Sequence, residues 1–231
     1  MAVICRLEIA MSSDGATIPM HRTIVYIDGY NLYYGLRDKF GRKYLWLDLT
    51  RFAMSLLSDT KQELAKAKYF TSADPGNTGS AQRQQTYWKA LETCPALDLI
   101  RGKYREKPTR CASCGAAEAE CRSCGSKLIF KNEKMTDVNI ATHLVGDAHN
   151  NAFDVAILVG GDTDLVPAVE AVVSLKKRMI VAFPPNRQNN EMSDAATGSF
   201  ILTEGKFKNA QFPSRVEVAP KIYVDRPDKW R

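Results

Sequence analysis

Four aspartates stand where the sequence changes from an apolar strand to a turn or a helix. Asp28 ends the β-branched run TIVYI, and Asp162 and Asp164 lie in ILVGGDTDLVPAV, between a buried strand and a helical segment. Asp137 lies in the first turn of the helix predicted from TDVNIATHLVGDAHN. Carboxylate oxygens select hard cations such as Mg²⁺ or Mn²⁺, which keep water ligands and bind phosphates. The residue types therefore predict a metal site that acts on phosphates, if the fold brings the four together.

Each aspartate also has a purely structural interpretation. Asp137 and Asp164 favour helix N-termini through capping and the helix dipole, and Asp28 and Asp162 fit ordinary turns. Four carboxylates at one place would repel one another without a cation, so metal binding explains the group better than four separate turns.

A cysteine motif in the middle of the chain predicts a structural zinc site. Its spacing is C-x₂-C-x₆-C-x₂-C, and four thiolates of this kind hold Zn²⁺ tetrahedrally. Paired disulfides are one alternative, which an intracellular location disfavours, and the first three cysteines also fit half of a binuclear zinc cluster. Cys5 and Cys94 are predicted to be free thiols, with Cys94 half-buried. The four predicted zinc ligands are Cys111, Cys114, Cys121 and Cys124.

A basic stretch, RGKYREKPTR, leads into the cysteines. Lysine and arginine neutralise backbone phosphates and tyrosine stacks on bases, as in proteins that bind single-stranded nucleic acid. A solvated, charged strand end explains any one of these residues equally well. The net charge of +6 and the pI near 9.0 permit a nucleic-acid partner without establishing one. The candidate nucleic-acid ligands are Lys103, Tyr104, Arg105, Lys107 and Arg110.

Strands and helices alternate along the chain, which predicts an α/β fold of three layers, α/β/α, with a mainly parallel central sheet. The strands of such a sheet end at one edge, and binding sites form there, where the strand order reverses. The topology therefore directs the four aspartates to one place. The predicted strands are 23–27, 65–72, 96–106, 153–159 and 178–183, with a short sixth at 199–203.

A chain of 231 residues, 45% of them hydrophobic, has room for one domain with an insertion. We expect a flexible leader at 1–21, a domain at 22–204, the cysteine insertion at 105–130 within it, and a C-terminal tail at 205–231. Charged residues interrupt the N-terminal apolar run, and no stretch approaches the length of a membrane span. We therefore expect a cytoplasmic protein that does not associate with membranes.

The segments VYIDGYNLYYGL, EKMTDVNIATHL and DVAILVGGDTDLVPAV resemble, in order, spacing and chemistry, the signature segments of the NYN-domain family, a branch of the PIN-like metal-dependent ribonucleases. The resemblance implies a PIN-like fold and endonucleolytic cleavage of single-stranded or structured RNA, and the cysteine spacing adds a zinc-knuckle insertion to that fold. It also implies that Asp28, Asp137, Asp162 and Asp164 hold catalytic Mg²⁺ or Mn²⁺, and that Asn31 orients the site.

The leading functional prediction is a hydrolase in which metal-activated water attacks an RNA phosphodiester bond. The alternative is a non-catalytic or weakly catalytic zinc-containing module that binds RNA or regulates it. A weaker alternative is a phosphatase that forms an aspartyl phosphate, because DTDLV matches its Asp-x-Asp signature. In such phosphatases the first aspartate directly ends the opening strand, whereas Gly160 and Gly161 intervene here on the fourth strand.

Overall fold

The computed structural model describes residues 20–57, 61–73, 79–108, 120 and 129–230, with the backbone alone at 104–108 and 129–133. The predicted leader, apart from its last two residues, therefore lies outside the described residues. The helices are α1 (Gly29–Phe40), α2 (Leu49–Leu56), α3 (Gly79–Leu91), α4 (Thr136–His149), α5 (Val166–Ser174), α6 (Asn190–Ala195) and α7 (Glu204–Asn209). The strands are β1 (His21–Asp28), β2 (Gln62–Ser72), β3 (Leu97–Pro108), β4 (Ile129–Lys134), β5 (Val155–Val159), β6 (Arg178–Phe183), β7 (Gly198–Ile201), β8 (Arg215–Ala219) and β9 (Ile222–Asp225).

A seven-stranded sheet in the order β4-β3-β2-β1-β5-β6-β7 forms the centre of the fold. All its neighbouring pairs are parallel except β3 with β4, so the predicted mainly parallel sheet is confirmed. From β1 the chain proceeds outward through β2 and β3, and from β5 it proceeds the other way through β6 and β7. The strand order therefore reverses between β1 and β5, which is where an open α/β sheet forms its binding crevice.

Alternate side chains of the central strands supply two separate cores, one on each face of the sheet. In β1, Val25 and Ile27 pack with residues of α1, α2 and α3, whereas Ile24 and Tyr26 pack with residues of α4 and α5. Strands that are covered on both faces consist almost wholly of apolar residues, as the sequence of β5 shows. The helices thus form two outer layers, and the predicted three-layer α/β/α architecture is confirmed.

The strand β3 is longer than its place in the parallel sheet requires. Residues 97–102 pair with β2, whose last residue is Ser72, and residues 103–108 then pair antiparallel with β4. This two-stranded extension passes beyond the carboxyl edge of the sheet, and the chain between its strands carries the four cysteines. The segment IFKNEK of β4 has only two apolar residues, so its sequence pattern does not predict a strand.

The C-terminal segment has regular structure, although its sequence has little periodicity. It forms α7, the hairpin of β8 and β9, and a 3₁₀ helix at Asp228–Trp230. Trp230 is buried, with its ring centroid 6.3 Å from that of Trp46 and 5.7 Å from that of Tyr87. The segment therefore completes the core on the side of the sheet that α1, α2 and α3 cover.

No helix within the described ranges is both long and apolar enough to cross a membrane.

Candidate metal centre at the carboxyl edge

Asp28 is the last residue of β1 and the N-cap of α1. Its Oδ1 accepts hydrogen bonds from the backbone N–H groups of Tyr30, at 2.9 Å, and Asn31, at 3.0 Å. Its Oδ2 accepts a third from the side-chain Nδ2 of Asn31, at 2.7 Å. Only 2% of the residue is exposed, so the carboxylate is held in one orientation at the end of a central strand.

Burial raises the pKa of Asp28 from 3.8 to about 6, although its hydrogen bonds with Asn31 and Tyr30 act in the opposite direction. The negative charge of Asp137 raises the pKa further. Both effects disfavour the carboxylate anion. A cation beside Asp28 would relieve both, because it offsets the lost hydration and the repulsion from the second carboxylate.

Asp137 reaches this edge because the N-terminus of α4 is anchored to the end of β2. Thr136 is buried, and its Oγ1 lies 3.3 Å from the Oγ of Ser72. Met135, just before the helix, has a φ of 84° and provides no side-chain cap. Asp137, in the first turn of α4, also interacts favourably with the positive end of the helix dipole, as the purely structural interpretation of this residue predicts.

The turn after β5 lies directly against Asp28. A Cβ atom on Gly160 would lie 3.3 Å from the Cβ and 3.7 Å from the Oδ2 of Asp28. A Cβ atom on Gly161 would lie 2.0 Å from the carbonyl oxygen of Arg187, which no side chain tolerates. Close packing thus explains the two glycines that separate the strand from the Asp-x-Asp motif.

Asp162 follows those glycines and caps a 3₁₀ helix at Thr163–Leu165, where its Oδ1 accepts a hydrogen bond from the N–H of Asp164 at 3.1 Å. Asp162 is half-buried and Asp164 is exposed. In the described part of the chain, no group of three or more His, Cys, Asp or Glu side chains is placed to hold a metal ion. The structure brings Asp28 and Asp137 into electrostatic contact, and the other two aspartates lie on the adjoining turn.

Two carboxylates are a sufficient protein ligand set for Mg²⁺. This ion usually keeps several waters and takes only one or two carboxylates, with substrate phosphates completing the shell. Asp28 and Asp137 supply hard oxygen donors, and burial makes the anionic form of Asp28 costly without a cation. The residues at this edge therefore fit a hard divalent cation.

Only some of the predicted zinc and RNA ligands lie within the residues that the structure describes. Lys103 is exposed and faces Lys134 directly across the β3–β4 pair. Two lysines opposite one another repel, unless an anion lies between them. Lys103 and Lys134 thus place positive charge at the start of the extension. The backbone is described at Tyr104, Arg105 and Lys107, and Arg110, Cys111, Cys114, Cys121 and Cys124 lie outside the described residues.

A cavity of about 270 Å³, which the sequence patterns do not predict, opens beside Gly29. Aromatic side chains of α1 and α3 line it, and Trp230 of the C-terminal segment contributes to its wall. Its one local signal in the sequence is the helical spacing of Tyr30, Tyr33 and Tyr34.

A buried polar group on the opposite face was also missed. The ammonium of Lys68 donates to Asp147 at 2.6 Å and lies 3.3 Å from Nδ1 of His143. The hydroxyl of Tyr26 donates to the same carboxylate at 2.5 Å. Since these bonds connect β1 and β2 to α4, the group serves the packing of the helix on the sheet.

Cys94, on the other side of the sheet, is a half-buried free thiol, as predicted, and burial raises its pKa to about 12.

The strand order reverses between β1 and β5, and the buried Asp28 lies beside this point. These features define an α/β domain with acidic side chains at the carboxyl edge of its sheet, where such domains form binding sites. The NYN domain matches residues 22–204, and the chain belongs to the NYN domain family. This family is of PIN-like type, and its members are typically nucleases.

Two known proteins resemble the chain over most of its length. The 6-hydroxy-3-succinoylpyridine 3-monooxygenase HspA of Pseudomonas putida (strain DSM 28022 / S16) is 31% identical over 241 residues, which cover 90% of this chain and 75% of that protein. A protein of unknown function from Vibrio parahaemolyticus RIMD 2210633 has a similar crystal structure, with a TM-score of 0.51 and 20% identity. The match covers 84% of this chain and 98% of that one, and it is a likeness of fold.

Proposed function

We propose that this protein is a metal-dependent endoribonuclease that hydrolyses RNA phosphodiester bonds. The observation that carries the proposal is the buried carboxylate of Asp28, which lies where the strand order reverses and interacts with the charge of Asp137. A buried anion with a second anion nearby is unfavourable in the protein alone and favourable with a divalent cation. Membership of a family of nucleases supports the same conclusion.

Asp28 and Asp137 would hold Mg²⁺ or Mn²⁺ directly in this proposal. Asp162 and Asp164 would join as further ligands by a shift of the adjoining turn, since the described side chains are not placed as a ligand group of three. Asn31 acts as a positioning residue, because its backbone and side-chain N–H groups hold both oxygens of Asp28. When bound, such a cation acidifies a coordinated water and stabilises the charge that develops on the phosphate.

The extension formed by β3 and β4 would guide the RNA towards this edge. Lys103 and Lys134 present adjacent positive charges at its base, where it leaves the sheet. Contacts of this kind position the phosphate backbone without reading its sequence. We propose that the neighbouring Tyr104, Arg105, Lys107 and Arg110 contact RNA as well, and that Cys111, Cys114, Cys121 and Cys124 bind a structural Zn²⁺ that stabilises the end of the extension.

A second candidate function comes from the relative in Pseudomonas putida. That protein is named as a monooxygenase of a substituted pyridine. Its sequence aligns with 90% of this chain and is 31% identical to it. The cavity beside Gly29, of about 270 Å³, is lined by aromatic side chains against which a heteroaromatic ring could pack. Oxygenation of a small heteroaromatic acid is therefore the competing activity that an experiment should include.

A single-turnover cleavage assay distinguishes these functions. Labelled single-stranded RNA is incubated with excess protein in resin-treated buffer, with and without Mn²⁺, and oxygen uptake with a pyridine carboxylate and NADH is measured in parallel. We expect Mn²⁺-dependent cleavage that Asp28→Asn reduces by at least about a hundredfold, as the loss of a metal ligand should.

The matched control is Asp98→Asn, the same change at an exposed carboxylate that pairs with Lys66 at 3.1 Å near the start of β3. This variant should cleave like the wild type. Equal cleavage by Asp28→Asn would place the activity elsewhere. RNA binding without cleavage would favour the regulatory module, and oxygen consumption without cleavage would favour the monooxygenase.

A further inference from the structure

The cavity beside Gly29 adjoins the proposed metal centre through the chain itself. Gly29 follows Asp28 directly, and the cavity lies between α1 and α3 with Tyr69 and Thr71 of β2 in its wall. A Cβ on Gly29 would lie 2.6 Å from the carbonyl oxygen of Phe70, so the start of α1 is packed tightly onto the end of β2. A ligand in this cavity would therefore lie next to any phosphate at the carboxyl edge.

The wall from α1 presents flat aromatic rings. The rings of Tyr30 and Tyr34 are nearly parallel, at an angle of 22° with centroids 6.3 Å apart, and Tyr33 meets Tyr34 edge-on at 5.2 Å. Tyr34 is 38% exposed, which leaves part of this large apolar ring in contact with solvent. Partly exposed aromatic rings are the side chains on which single-stranded nucleic acids stack their bases.

Two arginines give the cavity a positive character. The guanidinium of Arg37 lies 4.7 Å from the ring centroid of Tyr34, and Arg83 approaches from α3. Arg37 has an ion pair with the exposed Asp38 at 3.6 Å, which solvent screens. The described residues that line the cavity include no aspartate or glutamate, so the lining favours an anionic ligand.

A buried donor on the other wall lacks an acceptor. Trp88 is only 6% exposed and lines the cavity, and its indole Nε1 has no hydrogen-bond partner among the described residues. The indole N–H is solely a donor, and buried donors are nearly always paired. An acceptor on a ligand ring, such as a carbonyl oxygen or a ring nitrogen, would provide the missing partner.

We propose that this cavity binds one nucleobase of the RNA substrate, on the nucleotide next to the bond that is cleaved. The base stacks against the tyrosines of α1 and accepts a hydrogen bond from Trp88, and its phosphate lies against Arg37 and Arg83. The volume of about 270 Å³ lies just below the range of about 300–1,000 Å³ for ligand pockets, which suits one base and not a longer ligand. This inference rests on the proposed ribonuclease function and names its substrate contact.

The test combines a change in the protein with a change in the RNA. A substrate with one defined cleavage site is prepared as a series in which a single nucleotide, at each position in turn, lacks its base. Tyr34→Leu removes the stacking ring from an exposed position, so the fold should persist. Tyr223→Leu is the matched control, because this tyrosine is 49% exposed on the C-terminal hairpin.

We expect one abasic position, fixed relative to the cleaved bond, to lower kcat/KM of the wild type about tenfold, the size expected for one stacked base. The same position should matter less than about twofold in Tyr34→Leu, since the stacking partner is already absent. Tyr223→Leu should behave like the wild type. Equal losses in wild type and Tyr34→Leu, or no sensitive position, would overturn the proposal while cleavage itself still supports the ribonuclease.

A binding measurement tests the cavity independently of cleavage. Titration calorimetry with 5′-AMP and with nicotinate is performed on the wild type and on Trp88→Phe, which keeps an aromatic ring and removes the N–H donor. We expect 5′-AMP to bind and Trp88→Phe to weaken it several-fold, while the variant, whose smaller buried ring lowers the melting temperature, stays folded at the assay temperature. This result without any RNA cleavage would support the nucleotide site and reject the ribonuclease. Binding of nicotinate that 5′-AMP does not displace would overturn the proposal in favour of a small aromatic acid.

Discussion

Asp28→Asn removes a buried negative charge and keeps the shape of the side chain. The asparagine Oδ1 can still accept from the N–H groups of Tyr30 and Asn31, and asparagine is as good an N-cap as aspartate. Only the contact with the side chain of Asn31 must change, because two amide nitrogens cannot bond to each other. Rotation of the Asn31 amide, which presents its oxygen, restores that contact.

The expected gain in stability follows from the pKa of about 6 for Asp28, against an ordinary value of 3.8. At about 1.4 kcal/mol per pKa unit, ionisation of Asp28 costs the folded protein about 3 kcal/mol. Because the folded pKa is raised, the folded state holds a proton between pH 4 and 6 that the unfolded state releases. The stability of the metal-free wild type should therefore fall as the pH rises through this window and stay level above it, as far as Asp28 contributes. The asparagine variant lacks that decline, so near pH 8 it should be the more stable protein by up to about 3 kcal/mol.

Divalent metal should reverse this order. A ligand that binds only the folded state at a thousand times its Kd stabilises it by about 4.1 kcal/mol, which exceeds the advantage of about 3 kcal/mol of the metal-free variant, and the wild type keeps all the proposed ligands. Asp28→Asn has lost a ligand, so Mn²⁺ should stabilise it much less. The sign of the difference between the two proteins thus depends on the metal.

Urea denaturation at pH 4, 6 and 8, in resin-treated buffer with and without Mn²⁺, measures these effects without a chelator that would strip zinc from the proposed cysteine site. Asp98→Asn, at a surface ion pair, is the control and should change stability by less than about 1 kcal/mol at every pH. Lower stability of metal-free Asp28→Asn at pH 8, or equal stabilisation of both proteins by Mn²⁺, would refute the proposed role of Asp28 as a metal ligand. Asp28 would then serve only as the N-cap of α1.

Four further predictions concern other parts of the chain. Asp162→Asn should keep its capping bond and its metal-free stability but lose Mn²⁺-dependent cleavage, and full cleavage in a time course would remove this residue from the site. Elemental analysis should find about one Zn²⁺ per chain, and Cys111→Ser should lower both the zinc content and the affinity for RNA; absence of zinc in the wild type would contradict this. Trp230→Ala should destabilise the protein by about 3 kcal/mol in urea denaturation, because it removes a buried ring that packs on two aromatic rings of the core, and a change below about 1 kcal/mol would show that the C-terminal segment is dispensable. Lys68→Met should cost about 3 kcal/mol, because it strands the carboxylate of Asp147, and the further change Asp147→Leu should recover part of the loss if the ion pair is responsible.

The sequence determined the architecture because the signals for it are local. Apolar runs such as VAILV in β5 identify strands that are covered on both faces, and alternation with helical segments requires parallel pairing. The positions of Asp28, Asp137 and Asp162 at the carboxyl edge follow from that pairing, since each residue adjoins a strand end or a helix start. Two elements were not predicted: β4, which has few apolar residues, and the C-terminal hairpin, whose strands are only five and four residues long and gain their apolar contacts from the assembled core.

Tertiary structure alone decided how these aspartates differ. Gly160, in the turn after β5, and Asn31, in α1, both contact Asp28 and contribute to its burial. Asp164, on the same turn as Gly160, remains exposed. The sequence carries no local signal for this difference, because desolvation and the resulting rise in pKa depend on which distant segments pack around a side chain. The cavity beside Gly29 arises in the same way. Its wall combines α1, α3, β2 and Trp230 of the C-terminal segment, and their proximity is a property of the assembled fold.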